Sequence, residues 1–138
     1  MEETYHNTKN SDRNYGKKRE PLALEKFCKE KSLSYIQSSH DDDTKNKFDA
    51  YINDYPTSVK CSERWPNGSF PKKDLIPENK SVYVLFENNV YENYLVWFES
   101  LKEFINEGKA VDRGAYYVID QKDLYDLQEL TKKLHPII

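Results

Sequence analysis

Residues Ser81 to Leu134 read SVYVLFENNVYENYLVWFESLKEFINEGKAVDRGAYYVIDQKDLYDLQELTKKL, and this stretch decides the fold class. Within it, Val82-Tyr83-Val84-Leu85-Phe86, Tyr94-Leu95-Val96-Trp97-Phe98 and Tyr116-Tyr117-Val118-Ile119 are dense in β-branched and aromatic residues. Runs this short and this rich in such side chains read as strands rather than buried helices. All three are apolar on both faces, which predicts strands covered on both sides or with tyrosine edges reaching solvent. Asn88, Asn89, Glu92 and Asn93 around Val90 and Tyr91 supply turn residues, so the first two strands are expected to form an antiparallel hairpin.

Two helices complete the stretch. Ser100 and Glu103 have capping-box spacing, with Leu101, Phe104 and Ile105 as the buried stripe and Gly108 as the stop. After a turn through Asp112-Arg113-Gly114, the third strand ends at Asp120. That aspartate is placed to cap a last helix carrying Leu124, Leu127, Leu130 and Leu134 on one face, closed by His135-Pro136.

Toward the N-terminus the signals are weaker. Met1 to Glu20 has almost no aliphatic residue, and such a composition predicts a flexible tail. From Pro21 the pattern is helical, with Leu22, Leu24, Phe27 and Cys28 toward a core, and Ser34-Tyr35-Ile36 reads as a short strand. His40-Asp41-Asp42-Asp43-Thr44 then precedes Phe48, Tyr51, Ile52 and Tyr55 at helical spacing. Acidic residues there would oppose the positive end of a helix, which Tyr55-Pro56 would terminate. Between Pro56 and Asn79, four prolines and Trp65-Pro66-Asn67-Gly68-Ser69-Phe70 break any period, predicting a long loop. The expected architecture is a single α+β domain over residues 21–138 in the order α-β-α, long loop, β-β-α-β-α. Its small mixed or antiparallel sheet is packed by the helices from Leu101 and Asp120.

Composition narrows the function classes. The chain has 138 residues and formal net charge −3, with pI near 5.7, so no overall basic field draws it to nucleic acid or an anionic membrane. No apolar run is long enough to cross a bilayer and the N-terminus is polar, which makes the cytoplasm the expected location. Cys28 and Cys61 stand far apart without metal-ligand partners and are expected to be reduced, packed thiols.

The search for catalytic chemistry yields no constellation. Four glycines form no phosphate cradle, neither G-x-G-x-x-G nor a Walker-type loop. The histidines are His6 in the tail, His40 beside three aspartates and His135 next to the C-terminus, and Cys61 with His40 is formally possible as a nucleophile and base pair. His40 with its neighbouring aspartates could hold a divalent cation, but adjacent residues rarely converge on one ion, and helix capping explains them completely. No metal or cofactor is expected.

The order of helix, short strand, His40-Asp41-Asp42, the strand Val82 to Phe86, a second strand, a helix and Tyr116 to Asp120 resembles a family of small uncharacterised cytoplasmic proteins of Bacillus and related Firmicutes. The resemblance spans Leu22 to Leu127; the tail and the proline-rich loop depart from it. It implies an α+β domain from a low-GC bacterium or its phage, and it implies no catalytic residue.

The expectation is therefore a small non-catalytic protein-binding protein, such as a toxin immunity protein or a phage-type inhibitor of a host factor. Its eleven tyrosines, six phenylalanines and two tryptophans supply rings for a surface as well as for the core. Trp65, Phe70 and Tyr91 are the candidate partner-binding anchors, against the plainer reading that Trp65 and Phe70 fold back over the sheet. One alternative is a nucleic-acid-associated accessory protein using Lys17-Lys18-Arg19 and exposed rings. Another is a small hydrolase using His40 and Asp43.

Overall fold

The computed structural model describes residues 21–37, 46–61, 67–87 and 93–135. Among these the architecture is mixed α+β, with three helices and eight strands in two sheets. Helix α1 (residues 21–31) leads into β1 (Tyr35–Gln37), β2 (Ala50–Ile52), β3 (Tyr55–Cys61) and β4 (Gly68–Pro71). After the short 3-10 turn Lys72–Asp74 come β5 (Tyr83–Glu87), β6 (Asn93–Trp97), α2 (Phe98–Asn106), β7 (Val111–Asp112), β8 (Tyr116–Ile119) and α3 (Gln121–Leu134). The larger sheet has the order β1-β2-β3-β5-β6 and is antiparallel except for the parallel pair β3 and β5. The smaller is antiparallel, in the order β4-β8-β7.

β5 organises the core because all five of its residues are buried. Its side chains alternate between two apolar clusters, as pleating requires. Val84 and Phe86 pack with Phe70 of β4, Ile119 of β8, Leu101 of α2 and Leu124 of α3. Tyr83 and Leu85 face the other way, into a cluster with Leu24, Phe27 and Cys28 of α1. The larger sheet is thus covered by α1 on one face and by the smaller sheet with α2 on the other, which explains why β5 and β6 read as apolar on both faces.

Several expectations are corrected. The helix predicted over Phe48, Tyr51, Ile52 and Tyr55 is instead the hairpin of β2 and β3. Asn53 and Asp54 form its two-residue connection with φ of 48° and 71°, the left-handed pair that a tight hairpin of right-twisted strands demands. Ala50 and Ile52 then point inward alternately, and Phe48 meets Tyr51 edge to face at 5.1 Å. Pro56 is tolerated in β3 because its missing N–H precedes the start of β5, which begins opposite Thr57, while its carbonyl accepts from Val82 N–H at 2.7 Å. The long loop predicted from Pro56 to Asn79 accordingly contains β3, β4 and the 3-10 turn.

The capping box at Ser100 does not form. The chain passes from β6 into α2 at Phe98 without an intervening loop, Ser100 lies buried in the first turn, and no side chain caps the helix. Phe98 N–H instead donates to the Val82 carbonyl at 2.8 Å. Gly108 does end this segment, at φ 78°. Asp120 occupies the N-cap position of α3, but the free N–H of Gln121 is met by Asn67 Oδ1 at 2.9 Å.

Leu130, Leu134 and Leu22 are exposed, contrary to the predicted stripes. The buried face of α3 is Leu124, Leu127, Gln128 and Thr131, because this helix runs along the edge of β6. There Gln128 Oε1 accepts from Leu95 N–H at 3.1 Å and Thr131 Oγ1 accepts from Trp97 N–H at 2.9 Å. The outward amides of an edge strand are satisfied by helix side chains, so two polar residues belong in the buried stripe.

Candidate functional site

A pocket of about 290 Å³ opens where the approach to β2, the strand β3 and the 3-10 turn meet, lined by Lys47, Asp49, Lys60, Lys73 and Asp74. Lys60 follows the buried run Thr57-Ser58-Val59 of β3, and its ammonium lies over the Phe70 ring, with Nζ 5.3 Å from the centroid. Its ammonium reaches Asp74 Oδ2 at 2.7 Å in a pair that is less than one-fifth exposed on either side. Asp74 is set by the turn itself, where Leu75 N–H bonds the Lys72 carbonyl at 3.0 Å and Asn79 Nδ2 bonds the Asp74 carbonyl at 2.8 Å. Asp49 Oδ2 accepts from Val59 N–H at 2.7 Å, and its own N–H donates to the Thr57 carbonyl.

Lys47 stands in left-handed backbone, φ 66°, which costs a non-glycine residue of order 1 kcal/mol and persists only where surroundings hold it. Ser58 Oγ donates to its carbonyl at 3.0 Å and shares a buried 2.6 Å hydrogen bond with Ser81 Oγ. Next door, Lys80 N–H bonds the Asn46 carbonyl at 2.8 Å. Among the described residues, neither Lys47 nor Lys73 has a carboxylate partner. Lys72 has one outside the pocket: it bonds Asp112 Oδ1 at 2.7 Å and lies over the Tyr117 ring. That bond, followed by the Gly114 N–H, holds the Asp112 carboxyl below the usual carboxylate range.

A second polar group lies at the end of the larger sheet where β5 finishes. Cys61, Glu87 and Asn93 are in register on β3, β5 and β6 and so share one face. Glu87 is fully buried and engaged, and Asn93 Oδ1 is buried without a hydrogen bond among the described residues. At the opposite end, Tyr55 and His135 flank the buried Tyr83 edge to face, and His135 lies tilted against Trp97 with ring centroids 4.0 Å apart. Burial, with Tyr55 second, pushes the Tyr83 hydroxyl up to about 12.

Of the predicted partner anchors, Phe70 is fully buried and belongs to the core, beside Phe98 at 5.6 Å. The plainer reading holds for this ring, because β4 turns it inward against the larger sheet. Trp65 and Tyr91 lie outside the described residues, as do His40, Asp41 and Asp43 and the Lys17 to Arg19 run. Cys28 and Cys61 are not joined in a disulfide, and burial pushes the Cys28 thiol up to about 11. No group of three potential metal ligands occurs among the described residues, and no helix among them is long and apolar enough to cross a membrane.

The two edges of the larger sheet are treated differently. α3 seals β6, whereas β1 pairs only with β2 and no described residue pairs with its outer side. Ile36, at the centre of that strand, is 66% exposed. Neither this edge nor the lysine pocket was apparent from sequence: the pocket joins residues from three separate segments, and Ile36 reads as an ordinary strand residue. No protein-family model, no curated protein and no solved structure matches the chain.

Proposed function

We propose that this chain is a small non-catalytic protein-binding protein, of the kind represented by toxin immunity proteins and phage-type inhibitors of host factors. The partner meets it along the open edge of β1. The observation that carries this reading is the contrast between the edges: one is closed by helix side chains, and the other presents Tyr35-Ile36-Gln37 with an exposed isoleucine. Edge strands are ordinarily protected by lysine, proline or a covering element, and β1 contains no charge and no proline. An extended segment added there gains main-chain hydrogen bonds, with Ile36 as the side-chain anchor.

The test begins with capture of the partner from the producing cell by the tagged full chain. Ile36→Lys is then titrated against that partner. The substitution lies on an exposed position, so the melting temperature should hold while affinity falls at least about tenfold, the scale of one lost apolar anchor. Unchanged affinity in the folded variant removes β1 as the binding edge.

A further inference from the structure

We propose that the pocket between β3 and the 3-10 turn is a binding site for a small oxyanion, inorganic phosphate or the phosphoryl group of a monoester. Three lysines and two aspartates line it. Lys60 and Asp74 neutralise each other at 2.7 Å, and Asp49 is held by the Val59 amide. Neither Lys47 nor Lys73 is ion-paired with a described carboxylate, and the five side chains together leave one positive charge in excess. That local excess stands out in a chain of net charge −3.

The arrangement is built rather than incidental. Lys60 is fixed by its ion pair and by the Phe70 ring beneath it. The Lys47 carbonyl, in left-handed backbone, accepts from the buried Ser58 hydroxyl, which is itself bonded to that of buried Ser81. Lys73 is carried by a turn whose carbonyls are bonded at Lys72 and Asp74. A phosphate or phosphomonoester carries close to two negative charges at neutral pH and presents several strong acceptor oxygens. The lining's excess of one positive charge attracts such an anion, and lysine meets phosphate as a point charge without needing the planar fork of arginine. A pocket of this size accepts a phosphoryl group with a short substituent, and its open mouth lets the substituent leave toward solvent.

The experiment is a titration of the full-length chain with sodium phosphate, and separately with O-phosphoserine, followed by amide chemical shifts and melting temperature. Sodium chloride at matched ionic strength removes the general effect of salt. The expected result is a saturable shift centred on the amides of Lys47, Lys60 and Lys73, with a rise in melting temperature beyond chloride. Lys47→Ala with Lys73→Ala should weaken binding at least tenfold, and Lys72→Ala, whose partner is Asp112, should leave it intact. If the double variant does not fold, localisation of the shifts in the unaltered chain still decides the matter. Saturation by phosphate alone assigns free phosphate, and tighter binding of phosphoserine assigns the monoester. Shifts no larger than with chloride, shifts spread over lysines outside the pocket, or unchanged binding in the folded double variant overturn the proposal.

Discussion

Thr131→Val isolates the bond by which α3 closes the edge of the larger sheet. Thr131 is fully buried; its hydroxyl donates to the Leu127 carbonyl at 2.7 Å and accepts from Trp97 N–H at 2.9 Å. Valine fills nearly the same volume and is equally branched, so neither a cavity nor a large change of helix propensity accompanies the loss. Within the helix the Leu127 carbonyl keeps its backbone partner, which leaves the Trp97 amide as the one orphaned group. A buried amide without an acceptor costs about 1–3 kcal/mol. With a urea slope on the order of 1.5 kcal/mol/M, the unfolding midpoint falls by roughly 0.7–2 M with the slope unchanged. Thr131→Ser retains the hydroxyl and should recover much of that loss, and hydrogen exchange at the Trp97 amide should accelerate in the valine variant alone. An unchanged midpoint together with unchanged Trp97 exchange would refute the claim that this hydroxyl holds the edge.

Two further outcomes are expected. At Gly68 a Cβ would stand 2.8 Å from Phe86 Cδ1 and 3.0 Å from Leu124 Cδ1, both in the packed core, so Gly68→Ala should destabilise by about 1–3 kcal/mol; a neutral melt would mean that the ring shifts freely. Tyr83→Phe removes a buried hydroxyl that has no partner among the described residues, so stability at pH 7 should hold or rise by up to about 1–3 kcal/mol. Its alkaline behaviour follows from a folded value of about 12 against an ordinary 10: between these the unfolded chain releases the proton first, and stability falls by about 1.4 kcal/mol per pH unit. The phenylalanine variant should lack that part of the slope in urea unfolding between pH 10 and 11.5. Cys28, raised from 9 to about 11, supplies the part beginning near pH 9, and this should persist.

The strands at Tyr83–Glu87, Asn93–Trp97 and Tyr116–Ile119 were legible because aromatic and β-branched residues crowd short runs bounded by polar turns. The hairpin of β2 and β3 was not. Phe48, Tyr51, Ile52 and Tyr55 fall at helical intervals, and the same residues satisfy a strand pattern once Asn53-Asp54 is recognised as a two-residue turn. The informative signal was the pair of residues tolerant of positive φ, flanked by apolar residues on both sides, rather than the period. α3 was legible as a helix but its rotation was not. An apolar count favours Leu130 and Leu134 for burial, whereas the unpaired amides of β6 draw Gln128 and Thr131 inward. Backbone groups of another element made that choice, and no local pattern in the helix carries it.

The two proposed surfaces are hidden for the same reason, since each is assembled from residues that look unremarkable separately. Lys47, Lys60 and Lys73 are three ordinary lysines until the β2–β3 hairpin and the 3-10 turn bring them to one pocket. Ile36 stands out as exposed only because β1 falls at the end of the strand order. Residues 47–49 connect the two surfaces: they lead straight into β2, the sole neighbour of β1 among the described residues, and Asp49 is tied to β3 through the Thr57 carbonyl and the Val59 amide. An oxyanion on Lys47 would therefore tighten the segment that supports the open edge, while the sealed edge at β6 lies across the sheet from both. Lys47, at the entry to β2, lies on the β1 side of β3 in the strand order, so a partner that adds a strand to β1 would approach the same segment that an oxyanion in the pocket would hold.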